Sequence, residues 1–389
     1  MSELTATWSF PTTIRFGPGR RRELPEACRT AGMTNPLVIT DAGLADHAIV
    51  RDTLDTLRGS GLGADIFADV KGNPTSENVD AGVRALRAGG HDGVVAIGGG
   101  SAMDAGKAIA FMTAQTLGME TFEDIGDNWK QATREGILPS VAIPTTAGTG
   151  SEVGRASVIH VAAVDRKVVV FHPEILPKQV IADPELTTGL PPWVTAATGM
   201  DALAHCLEAF CAPTFHPMAE GIAVEGARRI HRSLVRAHTD GQDIQARADM
   251  LAAAMMGCVA FQRGLGAIHA ISHPVGSLYD THHGLTNAVV MPYVLAFNRE
   301  AVRDRLARLA GYLELPEASA QAVEQWIMEL RRTLDVPATL GDLGVDTGRL
   351  DEMAALGVAD PTAGGNPTPL TQAGLRSLLE HAVTGRMPA

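Results

Sequence analysis

Val94-Val95-Ala96-Ile97-Gly98-Gly99-Gly100-Ser101-Ala102-Met103-Asp104 runs four apolar residues into three glycines and then into a helical pattern that continues through Phe111. A short apolar run closed by a turn signal reads as a strand buried on both faces. Glycines at its carboxyl end let a pyrophosphate approach the backbone, and the helix behind them offers N–H groups and a partial positive charge. A tight turn with Ser101 as helix N-cap accounts for the same residues, but three consecutive glycines exceed what a cap needs. The spacing is not G-x-G-x-x-G, so a standard Rossmann fingerprint is not assigned. The stretch predicts strand, phosphate loop and helix, with Gly98, Gly99, Gly100 and Ser101 facing a nucleotide.

The flanking sequence repeats the alternation. Residues 37–40 and 64–70 read as strands, 44–57 and 76–86 as helices, and 141–144 as a further strand. Strands alternating with helices imply a mainly parallel sheet covered on both faces. Two β-rich runs around 162–165 predict a hairpin within 155–171, and 180–182 one more strand. Past Gly189-Leu190-Pro191-Pro192 the β pattern fades, and 195–210, 219–237, 244–261 and 321–334 are helical in character. The expected fold is an α/β N-terminal dinucleotide-binding domain, residues 1–187, and an all-α C-terminal domain, residues 188–389.

Pro144-Thr145-Thr146-Ala147-Gly148-Thr149-Gly150-Ser151-Glu152 also follows an apolar strand. Two loops of small and hydroxyl residues at the ends of neighbouring strands fit ligand binding at the carboxyl edge of an α/β sheet. Asp41, just past strand 37–40, is placed to accept hydrogen bonds from a ribose and to repel a 2′-phosphate, favouring NAD over NADP. A turn aspartate before Ala42-Gly43 is the competing explanation.

Composition narrows the classes. With 45% apolar and 20% charged residues the chain has the balance of a folded protein, and its 389 residues are enough for two or three domains. Its 44 acidic against 32 basic residues give a net charge of -12, unfavourable for nucleic acid, which needs a basic face. Arg20-Arg21-Arg22 lies beside Glu23 and Glu26 and reads as a solvated turn and helix start. The four cysteines form no C-x-x-C pair and suggest no disulfide scaffold. Residues 1–16 lack a basic flank followed by an apolar stretch, and no run of about 18 apolar residues occurs, so no signal peptide or membrane span is expected and the cytoplasm is the default location.

Asp201 and His205 are four apart, on one face of a helix. Residues 266–284 hold His269, His273, His282 and His283. A lone histidine is usually a satisfied core or surface group, and His47, His91, His231, His238 and His381 are read that way. Four histidines within fifteen residues, added to an Asp/His pair in an apolar helix, point to a metal. Histidine nitrogens with one carboxylate suit Zn or Fe(II). Spacing alone does not choose between His269 and His273, and only one of the adjacent His282 and His283 readily faces a given ion.

Taken together, these motifs resemble the iron-containing, or group III, alcohol dehydrogenases. The likeness is carried by Phe16-Gly17-Pro18-Gly19, the Gly98 loop, 144–153, 198–208 and 264–292, with 204–221 and 240–264 nearer the 4-hydroxybutyrate dehydrogenase branch. The resemblance implies metal ligands Asp201, His205, His269 and His283, the last chosen because the family's ligand directly precedes a glycine, here Gly284. It implies that His273 is a non-ligand histidine at the nicotinamide, with a catalytic role. It implies cofactor contacts at Asp41, Asn73, Gly98, Gly99, Gly100, Ser101, Thr145, Thr146, Thr149 and Lys167. Two positions depart from the family: Gly72, often proline, precedes Asn73-Pro74, and Gly365-Asn366-Pro367-Thr368 ends in threonine where arginine is common, without the usual upstream cysteine.

The activity so implied is metal-dependent, NAD-linked interconversion of a short primary alcohol, a 4-hydroxy acid among the candidates, and its aldehyde. Fe(II) is the implied metal, Zn(II) the alternative. A small-molecule substrate and a homodimer are expected, with no nucleic acid or membrane partner. Two rivals share the features: a dehydroquinate-synthase-like lyase using NAD and a metal without net redox change, and a non-catalytic metal- or nucleotide-binding protein.

Overall fold

The computed structural model describes residue 10 and residues 12–388. The part of the N-terminal stretch read for a leader that precedes Phe10 lies outside the described residues. The chain forms two compact units, one of Phe10–Thr146 with Gly150–Gly189, the other from Leu190 onward with Ala147–Thr149. This differs from the boundary expected at 187/188. Ala147–Thr149 groups with the helices because Gly148 is pressed against Thr198, where a Cβ would stand 2.8 Å from the threonine Cβ.

The first unit is built on β1 (Thr13–Phe16), β2 (Pro36–Asp41), β3 (Asp65–Val70), β4 (Gly93–Gly98), β5 (Ser140–Pro144) and, after a hairpin, β8 (Gln179–Ala182). The hairpin strands are β6 (Ala156–Val161) and β7 (Arg166–Phe171), antiparallel as expected. The six-stranded sheet has the order β1-β8-β5-β4-β2-β3, and every pairing in it is parallel. Helices α1 (Leu24–Thr30), α2 (Ala48–Gly59), α3 (Ser76–Ala88) and α4 (Gly100–Met112) make the crossovers. Strands β4 and β5 are buried throughout, which is why they read as unbroken apolar runs. Val38, Val95, Ile97, Val141, Ile143 and Ile181 project from one sheet face into a core closed by Leu24 and Cys28 of α1 and Val50, Leu54 and Leu57 of α2. Truncating one of these side chains, such as the fully buried Ile97, to alanine costs about 2–5 kcal/mol.

Strand order fixes where a ligand belongs. From β2 the chain moves outward to β3, whereas from β4 it moves the opposite way to β5. The reversal leaves a crevice at the carboxyl ends of β2 and β4, the switch point of an open parallel sheet.

The second unit is helical: α5 (Pro192–Cys211), α6 (Pro217–Thr239), α7 (Ile244–Ala260), α8 (Ala267–Tyr279), α9 (His283–Tyr312), α10 (Ala320–Thr333), α11 (Leu350–Ala359) and α12 (Gln372–Thr384). Helix α5 packs against α6, α7 and α9 and is buried on nearly every face from Thr195 to Cys211. Polar side chains on such a helix must find partners, since an unpaired buried charge is costly. The stretch Ile244–Arg263 has the length and hydropathy of a membrane-crossing helix. Here its α7 portion lies against α5 and α6, and buried Arg247 donates to the Thr195 hydroxyl at 2.8 Å.

Candidate active site

Gly98 closes β4 with φ at 147°, a backbone state that side chains rarely adopt. A Cβ there would stand 2.7 Å from Ala102 Cβ and 3.2 Å from Asp41 Oδ2, so the Asp41 carboxylate leans over the glycine turn. Gly99 is the N-cap of α4, and no side chain caps the helix. Ser101 is therefore not the cap that a tight-turn reading requires; it lies inside the first turn, and its hydroxyl donates to Gly72 O. An N-terminus without a side-chain cap, approached over bare glycine, suits a phosphate.

The other expected nucleotide residues adjoin this turn. Thr145 N donates to Gly98 O at 2.8 Å, and a Cβ on Gly99 would meet the Thr146 hydroxyl at 3.4 Å. Lys167 Nζ donates to Asn73 Oδ1 at 2.9 Å, next to the Gly72 carbonyl that Ser101 holds. Asp41, Asn73, Gly98, Gly99, Gly100, Ser101, Thr145, Thr146 and Lys167 thus belong to the sheet unit, while Thr149 groups with the helices. The bare turn and the uncapped helix fit a dinucleotide pyrophosphate, with the Asp41 carboxylate, which accepts from Leu44 N at 3.1 Å, adjacent.

A support that sequence reasoning missed lies behind the loop. Buried Lys107 of α4 donates to Ser151 O at 2.9 Å and to Ala156 O, and stands 3.3 Å from Asp104. Asp104 in turn accepts from the Ser151 hydroxyl and from Val158 N at 3.0 Å. Glu152 is buried beside Lys107, and burial pushes its carboxyl up to about 7.

In the helical unit, Asp201 and His205 project from α5, His269 from α8, and His283 from the first turn of α9. Donor atoms of Asp201, His205 and His269 all lie within 4.8 Å of one another. His205 Nε2 is 3.0 Å from His269 Nε2, Asp201 Oδ1 is 4.0 Å from His269 Nε2, and His283 Nε2 is 3.5 Å from Asp201 Oδ1. Two donors each about 2.1 Å from one ion stand at most about 4.2 Å apart, so each measured separation fits a shared cation. Burial holds His205 down at about 4, leaving it neutral with a lone pair to give.

The atoms around the nest confirm its polarity. His269 Nδ1 donates to Glu208 Oε2 at 2.5 Å, which leaves the Nε2 lone pair directed inward. Glu208 Oε1 accepts from Ile268 N at 2.7 Å. Asn287 Nδ2 donates to Asp201 Oδ1 at 2.7 Å and lies 3.3 and 3.2 Å from the Nε2 atoms of His269 and His283. Inward-facing acceptors with a single carboxylate fit a divalent cation. Glu208 and Asn287 were not among the residues expected from sequence. Glu208 shares the Asp201/His205 stripe at three residues past His205, and Asn287 lies one helical turn after His283.

His273 stands beside the nest, its ring stacked 5.6 Å from that of His283 and 5.8 Å edge-on from that of His269. His282 Nδ1 accepts from Leu285 N at 3.3 Å as the N-cap of α9, and its exposed ring meets Trp193 edge-on at 5.6 Å. Gly284 permits the close packing of α9 on α5, since a Cβ there would fall 2.5 Å from Ala197 O.

Comparison with known proteins bears on this arrangement. Residues 11–184 match the family model of iron-containing alcohol dehydrogenase, and residues 195–383 match that of the Fe-containing alcohol dehydrogenase family C-terminal region. A 4-hydroxybutyrate dehydrogenase of Cupriavidus necator is 39% identical over 384 residues, covering 96% of this chain and 99% of that protein. An NAD-dependent methanol dehydrogenase of Bacillus methanolicus is 33% identical, covering 96% and 99%. A crystal structure of 1,3-propanediol oxidoreductase superposes with a TM-score of 0.91 at 32% identity, covering 97% of this chain and 100% of the other.

Proposed function

The chain belongs to the iron-containing alcohol dehydrogenase family, and on that premise we propose that it oxidises a short primary alcohol, or reduces the aldehyde, with NAD. It is an oxidoreductase, and the lyase and non-catalytic alternatives fall away with the family assignment. A 4-hydroxy acid is the first substrate to test, on the strength of the 39% identity to a 4-hydroxybutyrate dehydrogenase.

The observation that carries the reading is the buried nest of Asp201, His205 and His269, with His283 beside it and Glu208 fixing the His269 ring. A divalent ion held by these four side chains, Fe(II) or Zn(II), would polarise the substrate oxygen and lower the alcohol pKa. NAD contributes the hydride acceptor at its nicotinamide. The protein's own part is orientation and proton handling. The glycine turn and α4 would hold the pyrophosphate, and Asp41 would accept from the ribose and select against a 2′-phosphate. His273 receives the hydroxyl proton as the C–H hydride departs, and passes it towards solvent. A cytoplasmic homodimer completes the proposal, with oligomeric state to be read by light scattering.

The test is a screen of short alcohols, diols and ω-hydroxy acids with NAD, after reconstitution with Fe(II) or Zn(II). Sustained NADH formation with at least one of them is expected, and 4-hydroxybutyrate should rank high. Metal-loaded protein that forms no NADH with any alcohol, and oxidises no NADH with the matching aldehydes, refutes the reading.

A further inference from the structure

The His273 ring meets a residue 87 positions away in the chain. His273 Nδ1 stands 2.8 Å from Asp360 Oδ2, and the two side chains are only 9% and 12% exposed. Asp360 Oδ1 accepts from Thr362 N at 2.9 Å and from the Thr362 hydroxyl at 2.5 Å. Burial alone would raise the Asp360 carboxyl, but the neighbouring His273 and the Thr362 donors outweigh it and hold it at about 2.

An ionised carboxylate only accepts hydrogen bonds, so the ring nitrogen facing it carries the proton. Whenever the ring is neutral, its lone pair then lies on Nε2. No partner for that nitrogen occurs among the described residues, whereas Nδ1 is fully engaged.

We propose that Asp360 is a positioning residue that imposes the Nδ1–H tautomer on His273 and so presents Nε2 as the atom that takes the substrate's proton. The assignment rests on the relay role of His273 given above. In the step, the substrate O–H bond breaks and an Nε2–H bond forms. The C–H electron pair leaves as hydride to NAD, and the Asp360 carboxylate balances the imidazolium without itself taking a proton. Nε2 then releases the proton to water. Asp360 also caps the short turn Pro361–Gly365, so a purely structural role has to be separated from this one.

A double-mutant cycle on the metal-loaded enzyme makes the separation, using Asp360→Asn, His273→Ala and the double variant. Asp360→Ser is the second probe: serine still caps the turn but is too short to engage Nδ1. Metal content, kcat, KM and the solvent deuterium isotope effect are measured for each. His273→Ala should keep its metal and lose kcat by about 10²- to 10⁴-fold, the range for a general acid–base residue. Each Asp360 variant should lose kcat by about tenfold or more, keep KM near wild type and show a larger solvent isotope effect. Neither should lower kcat further once His273 is alanine. Equal losses in both backgrounds, or wild-type kcat in the Asp360 variants, overturn the role of Asp360 while leaving the relay in place. Wild-type kcat in His273→Ala overturns the relay itself, and the role of Asp360 with it.

Discussion

Glu208→Gln isolates the carboxylate that holds His269. In the wild type Glu208 accepts twice, from His269 Nδ1 at 2.5 Å and from Ile268 N at 2.7 Å. Glutamine has the same shape but only one accepting oxygen. If that oxygen stays on Ile268 N, the amide NH2 faces Nδ1, the ring proton moves to Nε2, and a hydrogen occupies the direction in which a shared ion would lie. If the oxygen turns to Nδ1, the NH2 group is forced against the Ile268 N–H in a buried site, at a cost of about 1–3 kcal/mol. Both routes weaken metal binding. Loss of an outer carboxylate on a ligating histidine lowers metal affinity about 10- to 100-fold, or about 1.4–2.7 kcal/mol. The assay is competition with a chromophoric chelator, titrated with Zn(II), on wild type and variant. Thermal unfolding of the metal-free proteins supplies the control, where a small difference is expected. An affinity within twofold of wild type would refute the tautomer argument, as would a loss of metal matched by collapse of the metal-free fold.

Three further outcomes follow from named side chains. Asp41→Gly should raise the NADP-to-NAD ratio of kcat/KM by about 10- to 100-fold, and a wild type that prefers NADP counts against the role of Asp41. His283→Ala should be nearly metal-free, while His282→Ala stays metallated and loses about 1 kcal/mol of stability with its helix cap; metal analysis giving the reverse pattern reassigns the ligand. Glu152, raised from 4.5 to about 7 by burial, makes the fold take up a proton, so its penalty is absent below pH 4.5, grows as pH rises and is complete above about 7. At 1.36 kcal/mol per unit this amounts to about 3 kcal/mol, and Glu152→Gln should flatten urea-determined stability between pH 5 and 8; a slope equal to that of wild type sinks the claim.

What could be read in advance followed local signal strength. Strands β2, β4 and β5 are interior, and their unbroken apolar runs announced them. Strand β1 went unread because Thr13-Ile14-Arg15-Phe16 is short and half polar, and its partner among the described residues, β8, is far along the chain. Helix α9 was hidden as an element by Pro292 in its interior. In the helical unit, Asp201 and His205 were legible from their four-residue spacing, and Glu208 lay on the same stripe but reads alone as an ordinary surface acid. The choice of His269 and His283 came from family resemblance. Asp360 was beyond reach, since its partner lies 87 residues away and no periodicity links them.

The pairing of β1 with β8 has a kinetic consequence. Thr13 aligns with Gln179 and Phe16 with Ala182, so the first strand of the sheet finds its neighbour only after some 166 residues more have been made. At about 5–20 residues per second, synthesis keeps β1 waiting on the order of ten to thirty seconds. From the synthesis of β5 until that of β8, β5 lacks its β8 neighbour and presents an open edge, while β2, β3 and β4 already have one another. Loop closure of this length is slow compared with local pairing. The sheet should therefore assemble from the β2–β4 side outward, with β8 and then β1 added last, and a nascent chain released before Gln179 should aggregate through the uncovered edge of β5.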